Sequence, residues 1–208
     1  GAFLLASTGL LNGKSCSTHW LYANTFEKLF PEVTLTDNKV IVDQNGIYSS
    51  GGAMAYWNLL LYLVEKYTGK EMAIMASKFF LLNAGLNSQS SFTMFKGQKD
   101  HDDCEILRMQ EYIEKHYSNK ISVDDLAEKC NIGRRTFERR FKKATKNTVV
   151  EYIQRVKIES AKKMLETGRK TVNEVMFEVG YSDVKAFRDV FKKVAGLSPV
   201  EYRKKYEG

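Results

Sequence analysis

The C-terminal half of the chain repeats itself, and that repeat limits the fold more than any other feature. Val123, Leu126, Cys130 and Ile132 recur as Val172, Val175, Val179 and Tyr181, an offset of 49 residues. After one inserted residue the offset becomes 50, and Phe137, Phe141, Lys142, Lys143, Glu151 and Tyr152 recur as Phe187, Phe191, Lys192, Lys193, Glu201 and Tyr202. Each copy reads as a short helix, a turn and a second helix. The turns are Asn131-Ile132-Gly133 and Gly180-Tyr181-Ser182, with Asn or Gly where a helix-turn-helix needs a left-handed residue.

Everything after Asp102 reads as helix. Ile106, Met109, Ile113 and Tyr117 form one apolar stripe at helical spacing. Four later helix starts pair a hydroxyl residue with an acidic one three places on: Ser122/Asp125, Thr148/Glu151, Thr171/Glu174 and Ser198/Glu201. In that pattern the hydroxyl accepts from an early backbone N–H and the carboxylate faces the positive helix end. Pro199 follows its cap, where a missing N–H costs nothing. Between the copies, Thr148 to Thr167 reads as one helix of 20 residues, about 30 Å long at 1.5 Å per residue. Its Val149, Ile153, Val156, Met164 and Leu165 are placed to pack against both copies. One face of a DNA duplex recurs every ~34 Å, so such a rod can set two helices into adjacent major-groove segments.

The second helix of each copy has two chemical faces. In the first, Phe137, Phe141 and Ala144 should pack inward, while Arg135, Glu138, Arg139 and Lys142 face out, with Arg134 at the N-terminal end. In the second, Phe187, Phe191 and Val194 turn in and Lys185, Arg188, Asp189 and Lys192 turn out. A charged face on a single helix is usually just solvated. A duplicated unit with matched cationic faces favours double-stranded DNA, where Arg can make paired bonds to guanine. The charge is uneven in the same sense: residues 1–101 carry a net +1 and residues 102–208 a net +6 of the total +7. On its own that excess fits an anionic partner and a basic solvated surface equally well.

Residues 102 to 206 resemble the DNA-binding domain of the AraC/XylS family of bacterial transcription regulators. The resemblance is carried by Ile121 through Ala127, Arg135 through Lys142, and the tail holding Gly180-Tyr181-Ser182, Phe187, Phe191-Lys192 and Gly196 through Arg203. It implies seven helices with two recognition helices. By motif position it makes Arg135, Glu138 and Arg139 base readers in the first copy, with Lys185, Ala186, Arg188 and Asp189 their counterparts. The expected DNA-contacting set is Arg134, Arg135, Thr136, Glu138, Arg139 and Lys142, then Ser182, Lys185, Ala186, Arg188, Asp189 and Lys192. Asp189 departs from the cation found in many relatives. It could accept from a cytosine amino group, pair with Arg188 or Lys192, or weaken that half's contact.

The first half alternates elements: helices over about 2–11, 21–30, 53–66 and 71–82, and strands over 40–42 and 47–49. Asn45-Gly46 between the strands is a strong hairpin signal. That mixture indicates α/β architecture. Residues 87–99 are polar and aperiodic and read as a linker, with Phe92, Met94 and Phe95 apolar enough to pack locally. The expected layout is an α/β domain over 1–88, a linker over 89–101, and an all-α domain over 102–208 with two helix-turn-helix subdomains joined by a long helix. Residues 1–88 resemble the later part of a PfpI-like, flavodoxin-like domain of the glutamine-amidotransferase class, found at the N-terminus of some AraC-type regulators. The carriers are Gly1 through Ala6, Gly9 through Gly13, Ser17-Thr18-His19-Trp20, Phe30 through Val33 and Ser49 through Ala53. Gly1 through Ala6 reads as the middle of a buried helix, so the expectation is a domain entered part-way.

Enzymes of that class use a nucleophilic Cys just before the matching helix and a nearby His. No Cys here takes that position, Cys16 included, and His19 is expected to be a structural residue. No catalytic residue, cofactor or metal is therefore expected, since Cys16 and His19 lack a second ligand pair. The three cysteines are odd in number and scattered, which fits reduced thiols. The longest apolar stretch, Ala55 to Val64, holds Asn58 and is too short to span a bilayer. The combined expectation is a cytoplasmic, nucleoid-associated regulator that senses a small-molecule effector or dimerises through residues 1–88. The competing readings are a PfpI-like hydrolase or amidase with a DNA-binding appendage, and a helical domain that binds something other than DNA.

Overall fold

A computed structural model describes residues 1–36, 38–82 and 87–207, arranged in two compact units, Gly1–Thr93 and Met94–Gly208. Position 37, positions 83–86 within the expected first domain and Gly208 at the end of the expected last one lie outside the described residues.

The first unit holds helices α1 (Ala2–Ser7), α2 (Ala23–Leu29), α3 (Ala55–Thr68) and α4 (Lys70–Phe79). Its strands are β1 (Ser15–Cys16) paired parallel with β2 (Thr34–Leu35), and β3 (Ile41–Gln44) paired antiparallel with β4 (Ile47–Ser50). The β3–β4 hairpin turns through Asn45 (φ 53°) and Gly46 (φ 79°), the left-handed pair that an Asn-Gly hairpin requires. Helix α1 stops at Ser7, well before the expected Leu11. The Ser7 and Thr8 hydroxyls donate back to the carbonyls of Leu4 and Leu5, and Gly9 is left-handed (φ 77°). Helix α4 likewise ends at Phe79, ahead of a left-handed Leu81 (φ 53°). Ala6, Leu11, Cys16, Phe26 and Val33 form a small core with Phe3 and Phe30 packed on it.

The second unit consists, among the described residues, of seven helices: α5 (Cys104–His116), α6 (Val123–Lys129), α7 (Arg134–Thr145), α8 (Val149–Glu166), α9 (Val172–Glu178), α10 (Val184–Ala195) and α11 (Pro199–Tyr206). All four hydroxyl–acid pairs form complete capping boxes, at the starts of α6, α8, α9 and α11. Each box satisfies helix-end N–H groups that would otherwise lack partners.

The repeat is visible in the packing. In the first core Phe137 and Phe141 lie 5.7 Å apart, and Phe141 meets Tyr152 edge-on at 5.3 Å. In the second, Phe187 and Phe191 are 5.7 Å apart and Phe191 meets Tyr202 at 5.5 Å. Helix α8 serves both: Val149, Tyr152 and Val156 enter the first core, Ile158, Ala161 and Leu165 the second. Its 18 residues span about 27 Å.

The segment 89–101, read from sequence as a linker, makes specific contacts at both ends. Gln89 is buried in the first unit, where its amide nitrogen donates to the carbonyls of Thr18 and Lys39 at 2.9 Å each. In the second unit Phe95 packs edge-on against Tyr152 at 5.1 Å. Buried Gln110 donates to the Gln98 carbonyl and to the Tyr152 hydroxyl, and that hydroxyl donates to Glu114. Gly97 (φ 70°) passes so close that a Cβ on it would lie 2.3 Å from the Tyr152 hydroxyl.

Candidate nucleic-acid interface

Each helix-turn-helix is fixed from inside. In the first copy Leu126, Ala127 and Cys130 of α6 and its end meet Phe137 and Phe141 of α7. In the second, Val175, Met176 and Val179 meet Phe187 and Phe191. The turns close by the same bond, Ile132 N–H to the Ala127 carbonyl at 3.2 Å and Tyr181 N–H to the Met176 carbonyl at 3.0 Å. With those faces buried, the opposite faces of α7 and α10 have one orientation each. Arg134, Arg135, Thr136, Glu138, Arg139 and Lys142 are all exposed, as are Ser182, Lys185, Ala186, Arg188, Asp189 and Lys192.

The four arginines of α7 fall into two kinds. Arg134 is held by Asp124 of α6 at 3.0 Å and by Glu138 one turn along at 3.3 Å. Arg140 points away from the open face and grips Asp103 through two nitrogens at 2.6 and 2.9 Å, with Glu105 alongside. That guanidinium, reinforced by the Ile106 N–H, holds the Asp103 carboxyl below the usual range. Arg135, Arg139 and Lys142 make no ion pair among the described residues. They form a cationic ridge whose charge is unspent within the fold.

Helix α10 differs at its start. Asp183 caps it, accepting from the Ala186 N–H at 2.6 Å, whereas α7 begins at Gly133 with no side-chain cap. Asp189 makes no ion pair among the described residues, with either Arg188 or Lys192. Two carboxylates therefore stand among the cations at this end, and the second face is electrostatically weaker than the first. Sequence reasoning missed the Asp183 cap because position 186 is Ala, so the hydroxyl–acid pattern is absent. The Asp124–Arg134 and Asp103–Arg140 pairs carry no short-range signal, since they join different helices.

In the first unit, Cys16 is fully buried and burial pushes its thiol up to about 11. His19 Nδ1 accepts from the Leu21 N–H at 3.1 Å and so caps the short 3-10 turn Trp20–Tyr22. Among the described residues no group of three or more His, Cys, Asp or Glu side chains is placed to hold a metal ion. No helix among them is long and apolar enough to cross a membrane.

A family model described as a helix-turn-helix domain matches residues 126–205. The chain is 26% identical over 204 residues to the HTH-type transcriptional regulator GbdR of Pseudomonas aeruginosa (strain UCBPP-PA14), covering 98% of this chain and 55% of that protein. It is 36% identical over 93 residues to the bifunctional transcriptional activator/DNA repair enzyme AdaA of Bacillus subtilis (strain 168), covering 45% of this chain and 44% of AdaA. Among solved structures it is similar to the C-terminal domain of AraT, a response regulator from Geobacillus stearothermophilus. That match has 25% identity and a TM-score of 0.49, and covers 51% of this chain and 88% of that one. The chain spans about half the length of the curated relatives described.

Proposed function

We propose that the chain is a transcription regulator of the AraC type that reads two adjacent major-groove segments of double-stranded DNA, a reading supported by the helix-turn-helix family model that matches residues 126–205. The observation that carries the reading is the pair of quasi-equivalent helices, α7 and α10, each locked by a buried Phe pair with a cationic face left open. Arg135, Arg139 and Lys142 supply unpaired donors in the first copy, and Lys185, Arg188 and Lys192 in the second. Arg134 and Glu138 act as a mutually braced pair at the helix start, with Thr136, Ser182 and Ala186 lining the approach to the duplex. Asp189 limits phosphate contact in the second half and confers discrimination there.

Residues 1–88 form the sensing part in this proposal, a portion of a PfpI-like α/β domain joined through 89–101 to the reader over 102–208. A cavity of about 370 Å³ between β3, α3 and α4, lined by Ile41, Asn58, Leu61, Tyr62, Ala73 and Ile74, supports a small-molecule effector. Cavities of a few hundred cubic ångströms suit small ligands. The exposed Met75, Phe79 and Phe80 on and beside α4 support pairing with a second copy. No catalytic role is assigned to this part: the Cys16 thiol is buried and hard to ionise, and His19 Nδ1 is engaged as a cap. The place of action follows from the partner, the cytoplasmic nucleoid.

The test is a selection of binding sites from random duplex DNA, followed by affinity measurements over a salt series. A two-part site is expected, with log affinity falling linearly in log salt, as counterion release requires. Binding that ignores salt, or no enriched site at all, would refute the proposal.

A further inference from the structure

The two turns of the repeat are not built alike. In the first copy the left-handed position is Asn131 (φ 53°), exposed to solvent. In the second it is Gly180 (φ 77°). Asn adopts this conformation with little penalty, so the dihedral alone does not call for glycine. Space does. A Cβ on Gly180 would lie 2.1 Å from the Ser118 carbonyl oxygen and 2.8 Å from Lys157 Nζ. Ser118 follows the end of α5, in the first copy's framework, and a backbone oxygen cannot swing aside as a side-chain tip can. The second turn is thus pressed directly against the first subdomain.

Two further contacts seal the same junction. Lys157, midway along α8, is buried, and its Nζ donates to the Gly180 carbonyl at 3.2 Å and lies 5.2 Å from the centre of the Tyr181 ring. It makes no ion pair among the described residues, and burial pulls its ammonium below the usual lysine range. A buried ammonium with no counter-charge opposes folding unless its hydrogen bonds compensate. Beside it, Tyr117 packs against both cores, and its hydroxyl accepts from Ser160 Oγ at 2.6 Å.

We infer that the Ser118–Gly180–Lys157 junction fixes the register between α7 and α10 and so sets the half-site spacing that the protein accepts, with Gly180 and Lys157 as positioning residues. This rests on the DNA-reading function proposed above. Relieving a 2.1 Å approach to an ordinary contact moves the turn by about 1 Å, which is roughly a third of the ~3.4 Å base-pair rise. Helix α10 starts four residues beyond Gly180 and moves with it.

The experiment uses the full chain and a duplex selected from random DNA by the wild-type protein. Affinity is measured on that site, on each half-site alone, and on sites with the spacer lengthened or shortened by one base pair. Gly180→Asn installs the first copy's own turn residue, so it removes junction space while keeping a residue that tolerates the left-handed position. Lys157→Met removes the tie but keeps the stem, and Asn131→Gly is the reciprocal control. Both junction variants should keep half-site affinity within about twofold of wild type. Their affinity for the full site should fall about tenfold, and their preference for native spacing over altered spacing should collapse towards one. Asn131→Gly should leave all three quantities unchanged.

An undiminished spacing preference in the junction variants would overturn the inference, whatever happens to overall affinity. Should Gly180→Asn fail to fold by circular dichroism, Lys157→Met carries the same test. Absence of salt-dependent DNA binding by the wild-type chain would instead refute the DNA-reading proposal, and the junction's role would fall with it.

Discussion

Arg139→Ala separates base reading from every other role an arginine on α7 can have. Arg139 is exposed, lies one turn beyond Arg135, and makes no ion pair among the described residues. Truncating it strands no partner, so fold stability should change by less than about 0.5 kcal/mol, the usual range for a surface substitution. Its neighbour Arg140 is the opposite case. Removing that guanidinium leaves Asp103 and Glu105 without their cation, which should cost stability rather than sequence discrimination. On DNA, a bidentate contact from Arg139 to guanine is worth about 1–3 kcal/mol, which weakens binding roughly 5- to 160-fold. A contact to phosphate behaves differently: the loss is spread over all sequences, and the slope of log affinity against log salt falls by about 0.9. Fluorescence anisotropy on the selected site, on its single-base-pair variants and over a salt series distinguishes the two. The expected result is a loss confined to one or two base-pair positions, where the variant no longer discriminates, with little change in slope. Unchanged affinity would refute the assignment of Arg139 to the interface. A uniform loss with a slope change near 0.9 would refute base reading by this residue.

Gly97→Ala adds a Cβ 2.3 Å from the Tyr152 hydroxyl at a residue with φ 70°. Urea denaturation of the full chain should show the helical unit destabilised by about 2–4 kcal/mol, the sum of overpacking and left-handed strain, and a shift below about 0.5 kcal/mol would contradict the close approach. The carboxyls of Asp103, Glu151, Glu174 and Glu201 are all held below their ordinary values, Asp103 chiefly by Arg140 and the glutamates by bonds within their capping boxes. Such groups stabilise the fold above their unfolded pKa and lose that contribution as pH falls through the folded one. Denaturation midpoints should therefore be flat down to about pH 5 and fall steeply below about pH 4, with a shallower fall in Asp103→Asn; equal slopes would rule out a contribution from Asp103. Thiol labelling at pH 8 should modify the exposed Cys104 quickly and the buried Cys16 only on unfolding, since a thiol with a pKa of about 11 is thiolate in roughly one molecule in a thousand. Rapid reaction at Cys16 would contradict its burial.

What could be read in the sequence was what is settled within a few residues. The capping boxes join positions three apart, the Asn45-Gly46 turn joins adjacent strands, and the inward Phe137 and Phe141 lie one helical turn apart. The same local logic overran in the first unit, where the apolar run from Ala2 to Leu11 predicted a helix four residues too long. Side-chain hydroxyls and a left-handed glycine end it at Ser7. Contacts between distant segments left no such trace. Phe95, Gly97 and Gln98 dock on α5 and α8 through partners 12 to 64 residues away, and a segment with one apolar anchor has no period to detect. On the interface, four arginines in α7 look alike as letters. Only the packing of α5 and α6 against α7, which brings Asp103, Glu105 and Asp124 into reach, decides that Arg140 is structural and Arg134 braced.

The repeat itself offers one more signal, in the positions where its copies disagree. Most matched positions face equivalent surroundings and keep equivalent chemistry, as the Phe–Phe–Tyr stacks of the two cores do. Asn131 and Gly180 share a conformation but not an environment, because solvent lies over one and the Ser118 carbonyl over the other. Among the described residues no side chain donates to the Asn131 carbonyl as Lys157 does to that of Gly180. Two like units joined end to end meet through different patches, so matched positions can face unequal surroundings where they touch, and Gly180 is such a position. In a tandem reader that residue acts on geometry rather than on either core. Its effect should therefore appear in the spacing of the DNA site before it appears in stability.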